Sequence, residues 1–202
     1  MTYTTRAFME DAKKLLENGH TPEAKDEIAA RLSELAQRDD LTRFAAQLGP
    51  TDASNHTYLL WREPPHLTLI MVRFDEHFLS PIHDHREHWI AACCYRGADR
   101  WDLYERTDGK SGPGGFDLEL RDQVLLTPGD SIVLPPPPAA VHSHNNVASG
   151  DTLELIFSAA PPTPAKDRMM FDLPSGICVP SWYEISEQLT GEYFPPRLEG
   201  GT

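Results

Sequence analysis

Beyond about residue 55 the chain is written in short apolar runs broken by turn residues, and that spacing restricts it to a β-sandwich or a barrel. The runs fall at 57–61, 66–74, two within 88–106, 116–120, 123–126, 131–134 and 152–158. Each has strand length, and turn residues recur every 8 to 12 positions. That is the rhythm of an all-β barrel or sandwich, not of strands alternating with helices. Arg96-Gly97-Ala98-Asp99 reads as the turn of a hairpin, and a Gly/Ser/Pro loop occupies 110–115. There is no repeat of the solenoid kind.

The first fifty residues have helical periodicity instead. Thr4 or Thr5 can cap a helix that buries Phe8, Ala12, Leu15 and Leu16, with Gly19 to stop it. Thr21 followed by Pro22 and Glu23 opens a second helix, with Ile28, Leu32 and Leu35 as its apolar stripe. Asp40 is positioned to cap a short third helix through Phe44 and Ala45, ending at Gly49-Pro50. The last forty residues are rich in proline and aromatics, and we expect them to wrap the barrel. The expected organisation is one domain over 1–202: a helical extension over 1–50, the barrel over 55–160 and the wrapping tail over 161–202.

Charge narrows the partners. The net charge is -13, so nucleic acid and anionic membranes repel the chain. Cys93, Cys94 and Cys178 are odd in number and unspaced, which predicts reduced thiols in a cytoplasm. The N-terminal stretch is polar and amphipathic and does not read as a signal peptide, and no apolar run reaches spanning length.

Chemistry concentrates in the histidines. His83 and His85 stand at i and i+2, so on a strand both rings point to one face, as two ligands of one metal must. His142 lies 57 positions beyond His85, and in a rolled sheet it can face the pair. His144, two residues on, can share that face as a proton shuttle, or be the ligand in place of His142. His88 reads either as an acid/base near the pair or as a surface residue. Asp84 points away from its neighbours, either to brace the site through a hydrogen bond or as a solvated turn residue.

The residues around these histidines form two runs. His83-Asp84-His85 is followed by Gly97; later, Gly129 precedes Pro135 by six positions and His142 precedes Asn146 by four. In this order the runs resemble the two motifs of the cupin superfamily. The resemblance implies an all-β cupin fold, a jelly-roll or double-stranded β-helix barrel, behind an N-terminal helical extension. The general cupin motif carries a carboxylate ligand at the position of Trp89 or Ile90, and neither can ligate; Glu87 would need a distorted strand. A site of three histidines alone, with Ser80-Pro81-Ile82 before it and Tyr95-Arg96-Gly97 after it, resembles the thiol dioxygenases, such as cysteine dioxygenase and 3-mercaptopropionate dioxygenase. That branch implies iron(II) on His83, His85 and His142, with zinc or nickel as substitutes, and O2 and a small molecule as partners.

The chain departs from that branch at its outer residues. The arginine that holds the substrate carboxylate has no counterpart beyond Arg62, near Tyr58. The family's Ser-x-His-x-Tyr is replaced by Leu153-Glu154-Leu155-Ile156-Phe157-Ser158, which predicts an apolar shell and a larger or more hydrophobic substrate. The alternation of Leu153, Leu155 and Phe157 predicts that Glu154 faces solvent. Trp89, Trp101 and Phe157 read as core, Cys93 and Cys94 as small buried hydrophobes, and Pro135 to Pro138 as an extended lead-in to the ligand. The expected activity is an iron(II) dioxygenase, as a monomer or homodimer. Two other readings stand beside it: a lyase or isomerase using the metal as Lewis acid, and a metal-dependent binding protein.

Overall fold

The structure, a computed structural model, describes residues 3–37, 41–48, 55–63, 67–85, 88–134, 141–159 and 169–180. Three helices come first: α1 (Thr5–Leu16), α2 (Pro22–Gln37) and α3 (Thr42–Gln47). Twelve strands follow: β1 (Asn55–Glu63), β2 (Leu67–Phe74), β3 (Ile82–His83), β4 (Trp89–Arg96), β5 (Asp99–Arg106), β6 (Gly114–Gly115), β7 (Leu118–Leu126), β8 (Ser131–Leu134), β9 (Val141–Asn146), β10 (Thr152–Ala159), β11 (Met169–Asp172) and β12 (Ile177–Pro180).

The helix starts follow the sequence. Thr4 caps α1, its hydroxyl accepting from the Ala7 amide at 3.2 Å, and Thr21 does the same for the Ala24 amide at 3.2 Å. The N-cap of α3 is Leu41, without a side-chain cap; Asp40 lies outside the described residues. No helix among the described residues is long and apolar enough to cross a membrane.

The strands form two antiparallel sheets. One has the order β1-β2-β10-β4-β8 and the other β6-β12-β11-β3-β9-β5-β7. Within them, β2-β10-β4-β8 faces β3-β9-β5-β7. That alternation of early and late strands is the jelly roll of two interlocked Greek keys, as in capsid, lectin and cupin barrels. The chain is therefore an all-β barrel of this type with a helical N-terminal extension. Where two strands are expected over 116–126, one runs, with Arg121 skipped as a bulge between Leu120 and Asp122. The stretch is nearly all solvated at the sheet edge, so its polar residues do not end it. Of the expected tail, the described stretch 169–180 is a hairpin that adds β11 and β12 beside β3; 160–168 and 181–202 lie outside the described residues.

Both faces of the first sheet are covered. Phe8, Met9, Ile28, Leu32 and Leu35 of α1 and α2 pack on Leu60, Leu69, Met71, Trp89, Ala91, Cys93, Leu155 and Phe157. The opposite parity, including Val72, Ile90, Ala92, Cys94 and Ile156, turns inward against Trp101 and Leu126 of the second sheet. This explains the unbroken apolar run of β4, which has no solvent face.

The small motif residues hold corners. Gly97 has φ +90°, and a Cβ there would meet the Thr152 Cα at 2.8 Å. Asn146 is buried; its amide group donates to the carbonyls of Asp75 and Gly150 at 2.8 Å each, and its oxygen accepts from the Ala148 amide at 2.9 Å and the Thr152 hydroxyl at 2.8 Å. Replacing it strands several buried or half-buried partners at once. The variant Asn146→Ala should lose about 2–4 kcal/mol of stability, read by urea denaturation; a loss below about 0.5 kcal/mol would show that the side chain is dispensable.

Candidate metal centre

Pairing of β3 with β9 sets His83 directly opposite His142. Their ring centroids lie 4.3 Å apart, and His85 completes the group at 5.2 Å from His83 and 5.1 Å from His142. One ring nitrogen from each lies within 4.8 Å of the other two. His83 and His142 are buried and His85 is half-buried, so the group sits at the edge of the interior with one side towards solvent. The three sequence-predicted ligands are thus brought together, and they could hold a metal ion.

The local chemistry suits that use. His83 Nδ1 lies 2.8 Å from the Pro81 carbonyl, which can only accept. Nδ1 therefore carries the hydrogen, and Nε2 keeps its lone pair for a metal. Imidazole donors select borderline first-row ions. Three protein ligands would leave further positions open on a bound ion. Trp101 stacks on His142 at 4.9 Å and 12°, fixing its plane. Asp84 is buried and its carboxylate accepts from the Met169 amide at 2.8 Å, so it braces β3 against β11 and is no solvated turn residue.

The remaining candidates separate. His144 does not join the three: its Nδ1 is 2.9 Å from Asp99 Oδ2, while its ring lies 5.1 Å from His142 and 6.0 Å from His83. His88 is half-buried, and its amide closes a turn on the His85 carbonyl at 3.1 Å, outside the ligand group. Ile90 occupies the inward position where a carboxylate ligand would stand, and Trp89 turns to the helices, donating to His20 Nδ1 at 2.8 Å. Arg62 is exposed, and Tyr58 packs beneath the helices against Phe44. Glu87 and 135–140 lie outside the described residues.

Two expectations are overturned. Glu154 does not face solvent: it is fully buried inside the barrel, where its Oε1 accepts from Trp101 Nε1 at 3.0 Å. Leu153, Leu155 and Phe157 take the other face, and helices cover that face, so the alternation marks two buried sides. The shell around the site is consequently not apolar, because Asp99, His144 and Glu154 lie within it. Burial first, and then the Asp99 charge, push the Glu154 carboxyl well above the usual range. Asp99 was not legible as a site residue: it closes a turn in sequence, and only the pairing of β5 with β9 carries it to His144. Burial also pushes the Cys93 thiol up to about 12 and the Cys94 thiol up, so neither is a nucleophile.

Known structures give likeness in shape at low identity. The chain is similar to a cupin domain of Cnp3 from Schizosaccharomyces pombe, at 9% identity and TM-score 0.44 over 57% of this chain and 72% of that one. It is similar to oxalate oxidase in complex with the substrate analogue glycolate, at 16% identity and TM-score 0.44 over 58% of each chain, so just over half of that protein's length is matched. KdgF from Halomonas sp. is similar at 18% identity and TM-score 0.41 over 56% of this chain and 87% of that one. No family model matches the chain. No curated protein matches it either.

His85, half-buried and outside the Trp101 stack, is the cleanest ligand to remove. In protein purified without chelator, His85→Ala should lose most of the metal bound at this group while its far-ultraviolet circular dichroism stays that of the wild type. Unchanged metal content by elemental analysis would show that the three histidines do not share an ion.

Proposed function

We propose that this chain is a cupin-type metalloenzyme, a mononuclear non-haem iron(II) dioxygenase that adds O2 to a small organic substrate, with thiols the first class to test. The observation that carries this reading is the donor set: three imidazoles from β3, its following loop and β9, with isoleucine where a carboxylate ligand would stand. Iron(II) held there would supply open positions for an anionic organic ligand and for O2 together.

The protein's own part is orientation and dryness. Pro81 holds the His83 ring through Nδ1, and Trp101 holds the His142 ring by stacking. Val72, Ile90, Ala92 and Ile156 line the interior with apolar surface that excludes water. His144 is the proton-handling residue, since its ring stands beside the ligands with Nδ1 turned to Asp99. His88 would act only from the turn after His85. The absence of a buried arginine at the Arg62 position favours substrates that do not depend on a carboxylate anchor. Three free, buried cysteines suit a reducing cytoplasm.

A second reading has one observation in its favour. The buried His144–Asp99 pair beside the ligands could move a proton for a lyase or isomerase that uses the metal as a Lewis acid. Oxygen uptake separates the two. Iron-loaded protein should consume O2 with at least one thiol or enol, and the zinc-loaded protein and His85→Ala should not. A flat oxygen trace across cysteine, 3-mercaptopropionate, larger thiols and enols would end the dioxygenase reading. Turnover with zinc or nickel and without oxygen would select the Lewis-acid enzyme, and tight binding with no product would select a binding protein.

A further inference from the structure

Inside the barrel a second group of ligand-type residues meets, and the proposed oxygen chemistry makes no use of two of them. Asp99 from β5, His144 from β9 and Glu154 from β10 place one donor atom each within 4.8 Å of the other two. All three are buried, the two carboxylates completely. Trp101 touches both this group and the three histidines: its ring stacks on His142, and its Nε1 donates to Glu154.

Charge balance is the difficulty this group poses. Two carboxylates in a closed interior demand positive charge close by. Among the described residues, the only basic side chain within ion-pair distance of either is His144, at 2.9 Å from Asp99 Oδ2 and 3.7 Å from Glu154 Oε2. Each carboxylate also keeps one fully buried oxygen, Asp99 Oδ1 and Glu154 Oε2, that no N–H or hydroxyl donor reaches, although the two carboxyl groups are close enough to share a proton. Buried acceptors of this kind call for an occupant.

The spacing suits a metal ion. Two donors bound at about 2.1 Å, at roughly 90–120° to one another, lie about 3.0–3.6 Å apart. The 2.9 and 3.7 Å separations from His144 Nδ1 to the carboxylates bracket that range. One imidazole with two carboxylates is a harder donor set than three imidazoles, and it suits manganese(II), iron(II) or zinc. We propose that Asp99, His144 and Glu154 form a second divalent-cation site within the barrel, separate from the three-histidine group. The Trp101 bond to Glu154 Oε1 orients that carboxylate so that Oε2 points to the ion. With the ion on Nδ1, His144 carries its hydrogen on Nε2, still available for exchange. Protons shared among the three residues are the competing occupant, because burial and the Asp99 charge already favour the neutral form of Glu154.

This proposal does not depend on the dioxygenase reading, and counting metal tests it apart from activity. Protein stripped and reloaded with manganese(II) or zinc should hold about two equivalents per chain. Glu154→Gln, which keeps an acceptor for Trp101, and Asp99→Asn should each hold one fewer. His85→Ala should also hold one, retained in a six-line or broad manganese resonance that the additional Glu154→Gln change removes. If the three-histidine group binds nothing, the wild type holds one equivalent that Glu154→Gln abolishes and His85→Ala leaves; the site then stands and the function above falls. One equivalent abolished by His85→Ala and untouched by Glu154→Gln overturns the site, and so does metal-free wild type. Should both carboxylate variants fail to fold, the count on His85→Ala decides alone: an equivalent retained supports the site, and none overturns it.

Discussion

The site depends on one register. His83 lies opposite His142 because a strand of two residues, β3, is clamped between β11 and β9. So short a strand has little pairing of its own, and side chains complete it. Asp84 takes the Met169 amide through its carboxylate, and its own amide donates to the Met169 carbonyl at 3.1 Å. On the other side the Ser80 amide donates to the His144 carbonyl at 2.9 Å, and its hydroxyl accepts from the His144 amide at 2.7 Å. A slip of one residue would turn His83 to the other face and dissolve the group. The residues around the ligands therefore spend their hydrogen bonds on register, which is why they look unlike ligands and still flank them.

That division explains what was legible. The His83–His85 parity needs only the two-residue period of extended chain, so it can be read from sequence directly. Strand spacing leads only as far as a barrel or sandwich, and the jelly roll enters through the likeness of the two histidine runs to the cupin motifs; Asn146 and Gly97 are explained by corners that admit few other residues. The alternation along β10 points Glu154 the wrong way for a physical reason. Alternation tells which residues share a face, but not what lies against either face. On β10 one side meets the helices and the other the barrel interior, so the assumption that the polar side is wet fails. The same ambiguity hid Asp99, whose role depends on a partner 45 positions away in sequence.

The interior is consequently more polar than a barrel core usually is. His83, His142, His144, Asp99 and Glu154 are buried in or beside the inner apolar cluster. Trp101 joins the parts: it stacks on one histidine, meets a second edge-on at 4.0 Å and donates to Glu154. An aromatic residue with one polar handle can fill volume and satisfy an acceptor at once, which neither leucine nor phenylalanine can do.

A barrel that gives its interior to chemistry must find apolar burial elsewhere, and here the helices provide it. The larger cluster lies outside the barrel, between α1, α2 and the outer face of the first sheet. Phe8, Ile28, Leu32 and Leu35 are fully buried there, and each such side chain contributes about 1.5–3 kcal/mol of transfer free energy. Taking ionisable groups out of water inside the barrel works in the opposite direction, by several kcal/mol per ion before compensation. The two effects are of the same order, so the helical extension is not an appendage to a self-sufficient barrel. Its apolar stripes, readable as helices from the first fifty residues, offset the cost of placing histidines and carboxylates where an ordinary jelly roll would place leucine and valine.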